Sequence, residues 1–459
     1  GTVAGAILVG GWGFFDSWYG FFEESMADET LHWLVMLVVL FGILLTLFEH
    51  SNAVTDFARW TERFVNSRRK SMVLSLLLSI VLFIDDYLSA LVVGTAMRKV
   101  TDSYKVPRTL LGTIVKMASA PICVLIPFST WAFFFSGLLE AEGVTVNGSG
   151  FGAYLRAIPF IFFGWIALII VALLVSGVFP LLGATRRDNR RALATGDVFP
   201  AGYEAAARVG VGSSASSATE LPPIDAGGHA AGEPQAAAAV ATATRDDGTA
   251  RPLPFNFLIP VVIMVVVTIA TDVNILKGTA AAVIVALILY LVQRRITFKG
   301  VLDAAFEGVG SMLFVVVLSV LAFMVQKINI ELELADFVIG ATQPFMNGAL
   351  LPAVVFLVCG VYAYATGSFW DLAVVVTPLV VPLAFAMGVD PILAASAVFS
   401  GAALGSTTCL YGDGIILASR STDLKPLNLM IAILPYAGIA AGISLVLYLI
   451  TGLAGVTLL

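Results

Sequence analysis

Residues 83–94 read Phe-Ile-Asp-Asp-Tyr-Leu-Ser-Ala-Leu-Val-Val-Gly, and they place two adjacent aspartates, Asp85 and Asp86, within an apolar stretch. The whole chain is 59% apolar and only 12% charged, whereas soluble globular chains carry about 25% charged residues. Ionisable side chains inside apolar spans are energetically costly and mark functional sites. The stretch therefore predicts a functional site inside a membrane-embedded protein.

Apolar segments of about 20 residues, the length that crosses a bilayer as a helix, recur along the chain. About ten such crossings fit within the 459 residues, which predicts one all-α polytopic membrane protein in a lipid bilayer. Gly1–Phe15 resembles the end of a further span, so we expect the natural N-terminus to lie beyond Gly1. The candidate spans are Leu31–Phe48, Ser71–Met97, Thr109–Leu139, Ile158–Phe179, Phe257–Thr271, Thr279–Val292, Val309–Val325, Leu350–Met387, Ile392–Ser419 and Leu429–Ile450.

Basic residues flank the segment Ser71–Met97 at both ends, with Arg68 to Lys70 before it and Arg98 and Lys99 after it. Lys and Arg gather on the cytoplasmic side of membrane proteins, so both ends of this segment are expected on that side. A single crossing cannot satisfy this, and we predict a re-entrant hairpin with the two aspartates near its tip. The alternative is one long tilted helix with one basic flank outside.

The two halves of the chain resemble each other at an offset of about 285 residues. Phe83–Asp86 corresponds to Ser368–Asp371, and Ala118–Cys123 corresponds to Gly401–Cys409. The charge pattern makes Leu350–Met387 a second hairpin, which enters from the opposite face. The prediction is two inverted-topology repeats, each with a re-entrant hairpin and a broken transmembrane helix, as in many secondary transporters.

Three segments follow from this division. Residues 1–184 form the first membrane repeat and residues 255–459 form the second. Residues 185–254 are rich in Ala, Gly, Ser and Pro with scattered charges. Such a composition buries too little apolar surface to order itself, so we predict a flexible cytoplasmic linker.

Each repeat contains a span interrupted by Pro, Gly and hydroxyl residues. In Ala120–Trp131, Pro121 and Pro127 are expected to bend or break the helix and free backbone carbonyls. The partner stretch Gly405–Gly414 carries glycines, three hydroxyl residues and Asp413. Hard cations favour oxygen ligands of these kinds, and broken backbone within a bilayer is tolerated only where protein or a water-filled cavity satisfies it.

The candidate ligands of an ion, a proton or a substrate share an oxygen or a charge within these interrupted segments. They are Asp85, Asp86, Ser89, Lys116, Ser129, Thr130, Ser368, Asp371, Ser406, Thr407, Thr408 and Asp413. Among them Asp86, Asp371 and Asp413 are the candidate sodium ligands, with Asp371 and Asp413 taken as second-half counterparts of the aspartate pair. A buried carboxylate can exchange a proton for a cation.

Alternatives stay open for the charged candidates. Adjacent residues on a helix point about 100° apart, so one of Asp85 and Asp86 faces the site. The aspartates can instead cap half-helices or pair with Lys116. Lys116 itself can neutralise an aspartate, attract an anionic substrate or reach toward the cytoplasmic interface.

Other chemistry is not expected. Cys123, Cys359 and Cys409 lack metal-ligand spacing and are interpreted as small core residues. No basic run is dense enough for a nucleic-acid partner. An intramembrane aspartyl protease would need a Gly-x-Gly-Asp motif, but Leu410 stands at its first glycine, so we predict no enzyme and no cofactor beyond transported ions.

The stretches Phe83–Gly94 and Ala120–Trp131, together with the residues around Asp413, resemble the NhaC family of sodium/proton antiporters, part of the wider ion-transporter superfamily. The resemblance implies paired hairpins, broken helices, sodium/proton exchange across the cytoplasmic membrane and a homodimer. Family members also exchange amino acids or small carboxylates. Transport of such a substrate is therefore the alternative function, with Lys116, Tyr87 and Trp131 lining the pocket.

This chain departs from the family pattern at two places. Members commonly carry Asp where this chain has Lys116, and an Asp-His pair where it has Ser406 and Thr407. The Asp of a later Ser-Asp-Thr-Thr motif is retained as Asp413. These departures, the loss of an acid and the gain of a base, favour a lysine-neutralised site or an organic substrate. The family resemblance by itself favours these two alternatives less.

Overall fold

The computed structural model describes residues 2–200, 253–271, 274–333, 347–367 and 369–458, apart from a few side chains within helices, Asp413 among them. Over these ranges the chain is built from helices. They are α1 (Thr2–Gly10), α2 (Phe14–Met26), α3 (Glu29–His50), α4 (Ala53–Glu62), α5 (Arg68–Val81), α6 (Asp86–Ser103), α7 (Arg108–Leu125), α8 (Thr130–Ala141), α9 (Gly150–Ala157), α10 (Phe162–Ser176), α11 (Gly183–Thr195), α12 (Phe255–Ala270), α13 (Ile275–Val292), α14 (Phe298–Glu331), α15 (Leu351–Thr366), α16 (Phe369–Ala386), α17 (Pro391–Thr408), α18 (Asp413–Ser421) and α19 (Pro426–Leu453).

Seven helical segments of the described part are long and apolar enough to cross a membrane. An eighth is formed if Gly150–Phe160 and Phe162–Ser176, which meet at a bend of 49°, count as one span. The expected ten crossings exceed this number, because α5 with 14 residues and α12 with 16 are short for a bilayer. The architecture is nevertheless the predicted one, an all-α multi-pass membrane protein.

The segment around the two aspartates is a helical hairpin. Helix α5 ends at Val81, α6 begins at Asp86, and the two helices pack against each other. Asp85 caps α6, since its Oδ1 accepts hydrogen bonds from the backbone N–H groups of Tyr87 at 3.0 Å and Leu88 at 2.9 Å. The hairpin prediction is confirmed over the single tilted helix.

The next span is broken between α7 and α8. Ser129 caps α8 by accepting a hydrogen bond from the Ala132 N–H at 3.1 Å, and its hydroxyl donates to the Cys123 carbonyl. Pro127 lies within the break, whereas Pro121 lies inside α7 without ending it. The predicted break is therefore confirmed, but the expectation that Pro121 causes it is wrong.

The second half repeats these lengths. Helices α6 and α7 run over 86–103 and 108–125, while α16 and α17 run over 369–386 and 391–408, a constant offset of 283 residues. A four-residue break follows in both halves, at 126–129 and 409–412. Helix α15 ends at Gly367, whose φ of +73° suits glycine, and contacts α16 as α5 contacts α6.

This register corrects the sequence alignment by two residues. The structural equivalent of Asp86 is Phe369, and Asp371 is equivalent to Leu88. Asp413 opens α18 as Thr130 opens α8. The sequence comparison matched acidic residues, whereas the helix starts determine which backbone positions coincide. Asp371 and Asp413 are therefore not the counterparts of the aspartate pair.

Small residues allow the second repeat to pack tightly. A Cβ at Gly401 would overlap the Cβ of Cys359, and a Cβ at Gly405 would overlap Ala363, so α17 and α15 approach closely. All three cysteines are buried, which confirms them as small core residues.

Part of the predicted flexible linker is ordered. Helix α11 covers Gly183–Thr195, and its Asp188 is buried and accepts a hydrogen bond from the Thr109 hydroxyl at 3.0 Å. The Tyr436 hydroxyl accepts a hydrogen bond from the Leu182 N–H at 2.8 Å. The linker prediction is wrong for its first residues, because averaging over 185–254 hid an Arg-rich amphipathic helix. Residues 201–252 lie outside the described ranges.

The close approach of α15 and α17 leads to a stability prediction. Gly401→Ala should lower the free energy of unfolding by about 1–3 kcal/mol, because the new methyl group would force backbone apart. Gly438→Ala is the control, since no atom lies within 4 Å of a Cβ there, and it should be neutral or slightly stabilising. Thermal unfolding in detergent measures both, and equal midpoints would contradict the packing argument.

The cap of α6 leads to a second prediction. Asp85→Ala should destabilise the protein by about 1 kcal/mol, because two backbone N–H groups lose their acceptor. Asp85→Asn should retain most of this stability, since an Asn oxygen caps a helix nearly as well. If both substitutions lower the unfolding midpoint equally, the charge of Asp85 matters and its capping role is secondary.

Candidate functional site

An ion pair between the first hairpin and the first broken helix lies at the centre of the site. Asp86 on α6 and Lys116 on α7 are both 0% exposed, and Lys116 Nζ lies 3.8 Å from Asp86 Oδ2. Of the three interpretations of Lys116, a buried partner of an aspartate is confirmed. Reaching toward the interface is excluded, because the side chain has no exposed surface.

The second half supplies two further contacts to Lys116. Its ammonium group donates a hydrogen bond to Ser406 Oγ of α17 at 3.3 Å. A Cβ at Gly414, in the first turn of α18, would overlap Nζ. The absence of a side chain at Gly414 therefore makes room for the ammonium group. In the sequence, the pattern Gly412-Asp-Gly414 indicates an unusual backbone conformation but does not predict this contact.

Of the two carboxylate oxygens of Asp86, one has a hydrogen-bond partner and the other has none among the described residues. Oδ1 accepts a hydrogen bond from Trp131 Nε1 at 3.0 Å. Oδ2 of Asp86 and Oγ of Ser89 are buried and have no hydrogen-bond partner among the described residues. Ser89 follows Asp86 by three residues, so both side chains lie on one face of α6. An unsatisfied buried polar group costs about 1–3 kcal/mol, which marks a place for a further atom.

Aromatic rings from both halves cover the pair. Trp131 of α8 stacks on Phe369 of α16, with 4.3 Å between ring centroids and 16° between planes. Trp370 lies 5.8 Å from Trp131, and Tyr87 lies 6.3 Å from Phe369. Sequence reasoning named Tyr87 and Trp131 but missed Phe369 and Trp370. The Ser368-Phe-Trp-Asp stretch contains the signal, since two aromatics begin a helix there.

Four helices begin around this centre. Asp86 opens α6, Thr130 opens α8, Phe369 opens α16 and Asp413 opens α18. The Thr130 N–H donates to the Ile84 carbonyl at 3.0 Å, which holds the starts of α6 and α8 together. Helix N-termini carry a partial positive charge that favours anionic groups. The buried carboxylate of Asp86 is thus stabilised by the start of its own helix as well as by Lys116.

Several other candidate residues make hydrogen bonds at or near the helix breaks. Thr130 Oγ1 donates to Asp85 Oδ2 at 3.3 Å, which adds to the cap of α6. Ser129 holds the start of α8. Thr407 and Thr408 donate to carbonyls of Ala403 and Leu404 one turn earlier in α17, both at 2.7 Å.

The second-half acids lie at the starts of two helices. Asp371 lies half-buried in the first turn of α16. Ser368 lies outside the described residues, and so does the side chain of Asp413. Within the described part of the chain, no three His, Cys, Asp or Glu side chains converge to form a metal centre.

Comparison with known proteins agrees with this architecture. A family model described as the Na+/H+ antiporter family matches residues 122–453. A Haemophilus influenzae protein, described as uncharacterized, is 23% identical over 451 residues, which cover 91% of this chain and 78% of that protein.

A solved transporter shares the fold. The YdaH transporter of Alcanivorax borkumensis, described as having an unusual topology, aligns with a TM-score of 0.58 at 14% identity over 92% of this chain and 86% of its own. MtrF of Neisseria gonorrhoeae, described within a class of antimetabolite efflux pumps, aligns with a TM-score of 0.47 at 15% identity over 91% and 80% of the two chains. Because the family model covers more than half of the chain, this multi-pass membrane protein is a secondary transporter that belongs to the Na+/H+ antiporter family, the NhaC family.

Proposed function

We propose that this transporter exchanges sodium for protons by alternating access across the cytoplasmic membrane, with Asp86 as the carboxylate that binds the cation. The observation that carries the proposal is the pair of buried, unsatisfied oxygens, Asp86 Oδ2 and Ser89 Oγ, beside the Lys116 ammonium group. The family assignment supports the same exchange.

Sodium suits the oxygens of this site. It is a hard cation that favours carboxylate, hydroxyl and carbonyl oxygens. Asp86 supplies a carboxylate, Ser89 supplies a hydroxyl on the same face of α6, and Ser406 supplies another hydroxyl from α17. A cation bound to the first two would satisfy the atoms that lack partners.

Lys116 couples cation binding to proton release. Two unit charges about 4 Å apart interact by roughly 4 kcal/mol at an effective dielectric constant of 20. Sodium on Asp86 would therefore strongly repel the nearby ammonium group. Lys116 then loses its proton to water, and the site changes from an ammonium–carboxylate pair to a sodium–carboxylate pair with a neutral amine. One sodium ion enters as one proton leaves, so the total charge of the site is unchanged.

A second candidate is exchange of an amino acid or a small carboxylate. The specific observation in its favour is the meeting of four helix N-termini beside a buried lysine, because half-helix N-termini bind anionic substrate groups in transporters. Trp131 and Phe369 would then contact the organic part of the substrate.

Asp371 and Asp413 are proposed as further ion or proton carriers, and Asp371→Asn and Asp413→Asn should each reduce flux. A homodimer is likewise proposed from the family resemblance. The mass of the protein in detergent, measured by light scattering with the detergent subtracted, would distinguish it from a monomer.

The exchange proposal predicts opposite outcomes for two adjacent aspartates. In sealed vesicles that hold a pH gradient, added sodium should dissipate the gradient through the wild type. Asp86→Asn should abolish this response, because the cation loses its carboxylate. Asp85→Asn is the matched control and should retain it, since Asp85 caps α6. Ser89→Ala should raise the sodium concentration for half-maximal response about tenfold, as expected for a lost polar contact.

The result that contradicts sodium exchange is also specific. If sodium has no effect on the wild type while a labelled amino acid or carboxylate exchanges across the same vesicles, the second candidate replaces the first. Equal loss of activity in Asp85→Asn and Asp86→Asn would remove the distinction between the cap and the ligand.

A separate prediction concerns Lys116. Lys116→Gln should still bind sodium but should no longer release a proton on binding, because the titrating amine is gone. Radioactive sodium binding and proton release, measured on the same purified sample, separate the two effects. Removing one partner of a buried ion pair costs about 3–5 kcal/mol, so without sodium the variant should unfold at a lower temperature than the wild type. Sodium should raise the unfolding temperature of the variant more than that of the wild type. Unchanged proton release would overturn the role of Lys116.

A further inference from the structure

The start of α5 and the middle of α11 meet at a basic surface outside the ion pair. Arg68, the first residue of α5, donates a hydrogen bond from Nη2 to Asn189 Oδ1 of α11. The Nε group of Arg68 is buried and has no hydrogen-bond partner among the described residues. The Nε–H group of Arg68 is therefore left without an acceptor in the described part of the chain, although Asn189 holds Nη2 in place.

Exposed cations surround this guanidinium group. Arg69 and Lys70 follow it on α5, and Arg186 and Arg190 lie exposed on α11. Arg186 precedes Asn189 by three residues, so it lies on the face of α11 that meets Arg68.

The nearby acids do not neutralise this patch. Asp188 is buried and accepts from Thr109, with Arg187 Nε 3.7 Å away. Asp197 lies 3.6 Å from Arg191. Within the described ranges these two carboxylates contact Thr109, Arg187 and Arg191, and the patch of Arg68, Arg69, Lys70, Arg186 and Arg190 consists of basic side chains.

A row of apolar side chains on one face of α5, here called the apolar lane, continues from this patch. Lys70, Val73, Leu77 and Ile80 recur at helical spacing and share one face of the helix. Leu77 is 50% exposed and Ile80 is 37% exposed. One face of α5 therefore has a cationic end and an apolar length, which is the complement of a phospholipid with an anionic headgroup and an acyl chain.

We infer that an anionic phospholipid of the bilayer binds here, with its phosphate against the basic patch and an acyl chain along the α5 lane. Basic groups near the membrane surface attract anionic lipids. A free phosphate ion would use the patch alone, whereas a lipid would use both the patch and the apolar lane. The headgroup would also supply the acceptor that Arg68 Nε lacks.

Such a lipid would join elements that lead to the ion pair. Helix α5 runs to the hairpin tip at Asp85, while α11 packs on α7 through the bond between Asp188 and Thr109. Lys116 lies on α7, two turns beyond Thr109. A lipid that bridges α5 and α11 would therefore stabilise the hairpin and the broken helix relative to each other.

The test compares phosphatidylglycerol with phosphatidylcholine. The purified chain in detergent is titrated with each lipid, and thermal unfolding is measured. Phosphatidylglycerol should raise the unfolding midpoint and phosphatidylcholine should not. In Lys70→Gln/Arg186→Gln the concentration for half effect should rise about thirtyfold, because each basic residue near an anionic lipid contributes about fivefold.

Controls separate this site from general attraction. Arg294→Gln/Lys299→Gln removes two exposed charges elsewhere on the basic side and should leave the lipid response unchanged. Leu77→Gln keeps the basic residues but places a polar side chain on the apolar face of α5. The phosphatidylglycerol concentration for half effect should therefore rise several-fold. Inorganic phosphate should leave the midpoint unchanged.

Three results would overturn the inference. They are an equal response to both lipids, an equal response of both double variants, or a full response to inorganic phosphate. If the Lys70→Gln/Arg186→Gln variant does not fold, native mass spectrometry decides the matter with Arg186→Gln. The wild type should retain phosphatidylglycerol through detergent exchange and Arg186→Gln should lose it, and equal retention would refute the site.

Discussion

A buried ammonium group and a buried carboxylate 3.8 Å apart form the constraint on which the rest of the site depends. Removing two charges from water costs several kcal/mol for each ion, and attraction alone does not always repay it. Contacts around this pair supply the remaining stabilisation. Trp131 donates to Asp86, Ser406 accepts from Lys116, and the first turn of α6 places its partial positive charge at the carboxylate. The space at Gly414 lets the ammonium group approach the start of α18.

The broken helices follow from the same requirement. An unbroken span would present only side chains to a buried charge, whereas a helix that begins in the interior also presents backbone N–H groups. Two hairpins and two broken helices bring four such beginnings together, and the helices α6 and α7 match α16 and α17 in length at the offset of 283 residues. Hydrogen bonds at the breaks are made by Asp85 and Ser129, so these side chains stabilise the backbone that surrounds the pair.

Some features could be predicted from local pattern. The apolar composition predicts a membrane protein, the basic flanks of Ser71–Met97 predict a hairpin, and the proline and hydroxyl residues of Ala120–Trp131 predict a broken span. Other features depend on register and distance. The alignment paired Asp86 with Asp371 because both are acidic, but the helix starts pair Asp86 with Phe369. Likewise, local pattern could not show that Asp85 points to its own helix while Asp86 points to Lys116.

The sequence by itself determined that this chain crosses a bilayer, that its halves repeat and that Asp86 and Lys116 are both unusual. These properties depend on composition and local spacing, which survive in any arrangement of the helices. Only the tertiary structure decided that Lys116 pairs with Asp86, that Ser406 and Gly414 reach them from the other half, and that α11 belongs to the folded part. The hydrogen bond from Lys116 to Ser406 joins residues 290 positions apart, and only the packing of the two repeats brings such distant residues within hydrogen-bonding distance.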